Sequence, residues 1–96
     1  MNLVWSPIAR RQANAAVDFI KRDRPDAAER WLAGLLERVE LLRELPEQGR
    51  VVPEWDEPTV REILFEPYRV VYEVCPDRVE VITLSHFRQL LPPERV

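Results

Sequence analysis

A chain of 96 residues with 46% hydrophobic and 32% charged side chains is a folded domain, not a disordered one. No apolar run approaches the roughly 20 residues that span a bilayer. Fourteen basic side chains against seventeen acidic, a formal net charge of −3, exclude a domain built mainly to grip nucleic acid, which needs a strong basic excess.

One domain over residues 1–96 is expected. With one cysteine, Cys75, and one histidine, His86, an internal disulfide and a structural zinc site are both excluded. No metal and no cofactor is expected. The start MNLVWSPIARR has no basic segment followed by a long apolar one, so no secretory leader is expected, and the setting is predicted to be the cytoplasm.

In chain order, Leu3–Trp5 is a short apolar run and a first strand. Ser6-Pro7 is a helix start, because a serine oxygen accepts from a free amide and proline suits the first helical position. Ile8, Ala15, Ala16, Phe19 and Ile20 give that helix an apolar face. It stops near Arg24, since the residue before Pro25 is pushed away from helical angles. A second helix begins at Pro25-Asp26. Its stripe of Ala28, Trp31, Leu32, Leu35, Val39, Leu42 and Leu45 follows the spacing of a buried face and ends at Pro46 and Gly49.

The period then changes. Val60–Phe65, Tyr68–Val74 and Val79–Ser85 are rich in β-branched residues, and Glu66-Pro67 and Pro76-Asp77 divide them into a three-strand meander. Val51–Pro53 either pairs at the sheet edge or is loop. The predicted fold class is α+β with the order β-α-α-β-β-β, the helical hairpin packed on one face of a small, mainly antiparallel sheet.

A two-residue turn at Pro76-Asp77 sets Val74 against Val79, Tyr72 against Val81 and Val70 against Thr83, and this face meets the helices. The opposite face then carries Arg69, Val71, Glu73, Glu80, Ile82, Leu84 and His86, with no element to cover it. On that register Arg69 and His86 lie on neighbouring strands of an open face, with Arg88 at its lip. Trp55, in the acidic segment Glu54–Pro58, is a lid over the core edge or an exposed contact. Cys75 is predicted inert.

Several fragments occur together: Trp5-Ser6 before the first helix, PEQGR (Pro46–Arg50) closing the hairpin, VPE (Val52–Glu54), RE (Arg61-Glu62) entering a strand, YRVVY (Tyr68–Tyr72), and a last strand closing on His86-x-Arg88. In order and spacing they resemble the RelE/ParE superfamily of bacterial toxins, the toxic halves of type II toxin–antitoxin pairs, from Leu3 to about Leu91. The resemblance implies a cognate antitoxin as partner and either of two targets. RelE-like members cut mRNA on the ribosome; ParE-like members inhibit DNA gyrase.

Cleaving RNA needs a base for the 2′-hydroxyl, a cation for the phosphate and an acid for the leaving oxygen. If the chain is a nuclease, the resemblance implies Arg61, Arg69, His86 and Arg88 as the catalytic set. Against a nuclease, the lysine-rich loop of RelE-like toxins is replaced by the acidic VVPEWDEP, and no tyrosine follows Arg88. Residues 46–96 carry six basic and ten acidic side chains, a poor match to ribosomal RNA. The resemblance therefore implies gyrase inhibition, or a target not yet assigned within the superfamily, ahead of mRNA cleavage, with a non-toxic interaction module of the same fold as a third reading. Arg50, Glu54, Trp55 and Phe87 are the candidate partner-binding residues. Direct binding of free nucleic acid and contact with a membrane are not expected.

Overall fold

The structure, a computed structural model, describes residues 1–95. Strand β1 (Asn2–Trp5) is short because Ser6 and Pro7 end it and start a helix. The Ser6 Oγ accepts from the Ala9 amide at 3.0 Å, and Pro7 occupies the first helical turn, where its missing N–H costs nothing. Helix α1 runs Pro7–Asp23 and α2 Pro25–Glu40, with Arg24 alone between them. The second helix ends earlier than its stripe suggests. A 3-10 turn at Leu41–Arg43 follows, the Leu41 carbonyl accepting from the amides of both Glu44 and Leu45. Leu45 is turned out of the stripe and is 57% exposed.

The face of α1 also differs from expectation. Ala9, Ala13 and Ala16 are its buried residues, whereas Ile8, Ala15 and Phe19 face outward. Both sets satisfy helical spacing, so the pattern alone does not choose between them. The alanine face lets α1 lie close against α2 and the sheet.

The remaining strands are β2 (Arg50–Val51), β3 (Val60–Phe65), β4 (Tyr68–Val74) and β5 (Arg78–His86). They form one sheet with β1 in the order β1-β5-β4-β3-β2. β1 runs parallel to β5, and every other pair is antiparallel. Val51–Pro53 thus divides: Val51 pairs with β3, Val52 is buried, and Pro53 is exposed. The Glu66–Pro67 bond between β3 and β4 is cis.

Val74 opposes Val79 and Tyr72 opposes Val81, as the two-residue turn requires. A β-bulge follows. Val71 opposes Thr83, Val70 opposes Leu84, and Tyr68 opposes His86, leaving Ile82 as the extra residue on β5. One inserted residue reverses the side-chain parity of everything after it. Leu84, expected on the far face, is 4% exposed in the main core, and His86 lies beside Tyr68, on the helix side of the sheet. Thr83 moves the other way, into line with Val71. Beyond the end of β1, side chains near the start of α1 take up the β5 backbone. The Ser6 Oγ donates to the Ile82 carbonyl at 2.7 Å, and the Leu84 amide donates to the Gln12 Oε1 at 2.7 Å.

Two apolar clusters result. The main one, between helices and sheet, holds Leu35, Val39, Leu42, Val70, Tyr72, Val79 and Val81, all fully buried. Each such aliphatic side chain stabilises the fold by about 1.5–3 kcal/mol relative to exposure. The second lies on the opposite face and joins Val52, Val60, Val71 and Leu91, with Trp55 and Ile82 against it. That face is therefore not open. The loop after β2 and the tail after β5 cover part of it, because the alternation of β3 and β4 places valines there that water would otherwise meet. No described helix is long and apolar enough to cross a membrane.

Candidate functional site

Val70 and Tyr72 face the helices, so the period of two along β4 sends Arg69 to the other side. There it is 6% exposed, diagonally across from Glu62 of β3, which is 5% exposed. Its Nε donates to the Glu62 Oε1 at 2.7 Å. Its two terminal nitrogens grip Glu54, Nη1 to Oε2 at 2.6 Å and Nη2 to Oε1 at 2.8 Å. The second oxygen of Glu62 accepts from the Nε of Arg50 at 2.6 Å, directly opposite on β2. Two cations and two carboxylates thus alternate across the sheet and neutralise one another. The Arg69 hydrogen bonds hold the Glu54 carboxyl at about 2, well below the usual carboxylate range. The same contacts raise Arg69, the Glu54 bonds first.

This cluster also fixes the chain end. The Leu91 amide donates to the Glu54 Oε2 at 2.9 Å, and the Arg69 Nη1 donates to the Gln89 carbonyl at 3.3 Å. The Trp55 indole N–H donates to the Pro92 carbonyl at 2.7 Å. Arg95 bridges Glu57 and Glu73. Trp55 is accordingly a lid over the second cluster, tied to the tail.

The four residues of the nuclease expectation are divided among different environments. Arg69 is sealed between carboxylates. Arg61, level with Tyr72, donates to the carbonyls of Gly49 at 2.9 Å and Glu47 at 3.5 Å. His86 and Arg88 do come together at the end of β5. The His86 Nδ1 accepts from the Arg88 amide at 3.2 Å, the His86 ring stacks on Phe87 with centroids 5.1 Å apart, and the Arg88 guanidinium stands over Phe87 at 5.5 Å. The expected pairing of Arg69 with His86 on one face is lost, because the bulge at Ile82 lies between them.

Above the buried ion cluster runs a groove of about 700 Å³. Arg50, Pro53, Leu64, Phe87, Gln89 and Leu90 border it, and Glu54, Glu62 and Arg69 form part of its lining. Arg50 and Phe87, two candidate contact residues, thus reach solvent there, while Glu54 and Trp55 are engaged inside the molecule. Leu64 and Leu90 were missed by sequence reasoning. Leu64 had a legible signal for its face alone: alternation with Ile63 puts it on the side away from the helices. Leu90 had none. Cys75 sits before the β4–β5 turn, where burial pushes its thiol upward and away from the reactive thiolate.

Three comparisons bear on this geometry. The family model described as "ParE toxin of type II toxin-antitoxin system, parDE" matches residues 3–91. The "Putative toxin Y4kP" of Sinorhizobium fredii is 34% identical over 89 residues, which is 92% of this chain and 90% of that one. A solved structure described as "Chromosomal ParDE TA system from P. aeruginosa" superposes with a TM-score of 0.76 at 22% identity, covering 90% of this chain and 95% of that one. At that identity the structural likeness speaks for the fold.

Proposed function

We propose a function from one premise: the chain belongs to the ParE toxin family of type II toxin–antitoxin systems. It acts as the toxic half of such a pair, is neutralised by a cognate antitoxin, and has DNA gyrase as its target in place of mRNA. The observation that carries the last step is the state of Arg69. A phosphate-binding cation must reach its substrate, and this one is 6% exposed and already shared between two carboxylates. Arg61 donates to backbone carbonyls. That leaves the half-buried His86 and the exposed Arg88 as the remainder of a nuclease set, without a second cation beside them.

The parDE description in the matching family supports an antitoxin partner. The helical hairpin, with Ile8 and Phe19 facing outward, and the groove beside Leu64 are the surfaces left for it.

Expression without antitoxin should arrest growth, and co-expression of the antitoxin should restore it. No arrest would favour a non-toxic interaction module. Purified protein should inhibit gyrase supercoiling and leave mRNA on ribosomes uncut. Site-specific mRNA cuts that disappear in Arg88→Ala would replace this reading with the endoribonuclease one, which the adjacency of His86 and Arg88 alone favours.

A further inference from the structure

Gly34 of α2 meets the Phe65 ring. One turn on, Arg38 reaches the neighbourhood of Arg61 and Tyr72, which oppose each other across β3 and β4. Arg38 is half-buried, and its Nη1 is enclosed without a hydrogen-bond partner. It is the one buried side-chain nitrogen or oxygen in that condition among the described residues. An enclosed donor of this kind is costly and calls for an acceptor.

Charge narrows what that acceptor is. Neither Arg38 nor Arg61 pairs with a carboxylate among the described residues. Arg61 commits its Nη1 to the Gly49 and Glu47 carbonyls, which leaves its other nitrogens. The Tyr72 hydroxyl accepts from the Gly49 amide and keeps its own hydrogen to donate. Burial pushes the Tyr72 pKa upward, and the Gly49 amide, Arg61 and Arg38 each pull it down, so both guanidinium charges act at one hydroxyl. The exposed Glu47 carboxylate acts there more weakly than either arginine. Two unneutralised like charges repel, and an anion that accepts from both removes the repulsion. A water molecule offers an acceptor but leaves the charge standing. Tyr72 is fully buried, and Gly49 and Arg61 tie the loop Pro46–Arg50 down beside it, so the place suits a free ion and not a polymer chain. It is also apart from His86, which opposes Tyr68, four residues or roughly 13 Å back along β4.

We propose that Arg38, Arg61 and the Tyr72 hydroxyl form a binding site for a small free oxyanion, with inorganic phosphate as its occupant. The bound ion joins α2 to the edge of the sheet and steadies the loop that ends in Arg50, a member of the buried ion cluster. The proposal is independent of the toxin reading.

The test titrates the full chain with inorganic phosphate at constant ionic strength, following thermal unfolding and the phosphorus resonance. The melting temperature of wild type should rise with phosphate and saturate. Arg38→Gln should bind phosphate at least about tenfold more weakly, since a charged donor is lost. Without phosphate, Arg38→Gln should be no less stable than wild type, because it removes an unneutralised charge; a cation with a purely structural role would instead leave the variant less stable. Glu47→Gln should tighten binding severalfold by removing the nearby negative charge. Arg10→Gln, on the exposed face of α1, should bind as wild type. Circular dichroism checks each fold. The proposal is wrong if phosphate has no saturable effect on wild type, or if Arg38→Gln responds as wild type does, which marks an adventitious ion only. Should Arg38→Gln fail to fold, Glu47→Gln decides, and unchanged phosphate affinity there overturns the site.

Discussion

Arg69 grips Glu54 through both terminal nitrogens, at 2.6 and 2.8 Å, and thereby joins a central strand to the loop that carries Trp55. A third carboxylate contact, to Glu62, completes a largely buried set. Removing one member strands the others. Arg69→Met is expected to cost about 3–5 kcal/mol, as for breaking a buried pair from one side. The double variant Arg69→Met/Glu62→Leu should recover part of that loss. Urea unfolding of the three proteins measures both effects, and equal losses for single and double variants would contradict the coupling.

Glu54 makes this cluster sensitive to acid. Its carboxyl lies at about 2 in the folded chain, against 4.5 ordinarily, because Arg69 and the Leu91 amide bond the charged form. A lowered folded pKa stabilises the fold fully above 4.5, and that contribution is lost as pH falls from 4.5 through about 2. Across that window wild type should lose stability more steeply than Glu54→Gln. Parallel pH–stability curves for the two would show that Glu54 does not carry the effect.

Gly49 and Tyr72 are interlocked. The Gly49 amide donates to the Tyr72 hydroxyl at 2.9 Å, and a Cβ at Gly49 would lie 2.3 Å from the Glu62 carbonyl oxygen and 2.7 Å from that hydroxyl. Gly49→Ala is expected to cost about 1–3 kcal/mol through overpacking. Tyr72→Phe should cost about 1–3 kcal/mol by leaving a buried amide unpaired. Thermal unfolding ranks both against Gly34→Ala, where the new Cβ would meet the Phe65 ring edge at 3.1 Å.

Trp55 fastens the tail. Trp55→Ala removes the indole bond to Pro92 and uncovers Val52, Val60 and Val71. The amide of Leu91 should then exchange with solvent at least about tenfold faster, since one such hydrogen bond is worth about 1 kcal/mol and the covering apolar contact adds to it. Hydrogen exchange reads this directly, and unchanged protection at Leu91 would show that the tail is held without Trp55.

The strands β3 and β4, the α1–α2 break at Arg24 and the Ser6 cap were all legible, because each follows from a local rule: β-branched alternation, a proline, a capping oxygen. The open-face reading failed for a different reason. Nothing in Val79–Ser85 marks Ile82 as a bulge. What takes up the backbone there is Ser6 on the Ile82 carbonyl and Gln12 on the Leu84 amide, more than 70 residues away in the chain. His86 left the face of Arg69 for that reason alone. The fate of Arg69 was equally hidden. Its acceptors, Glu54 and Glu62, stand in the sequence as unremarkable acidic residues.

Sequence by itself determined the two helices, the three-strand meander, their order and the α+β class, because propensity, capping and hydrophobic period act over a few neighbouring residues, while the family followed from a resemblance in the order and spacing of its fragments. The tertiary structure decided which face each site residue occupies and which charges remain free. Those depend on a single-residue shift in strand register and on contacts between distant segments. Arg69 is consumed by such contacts and Arg88 escapes them, a difference that no local pattern encodes.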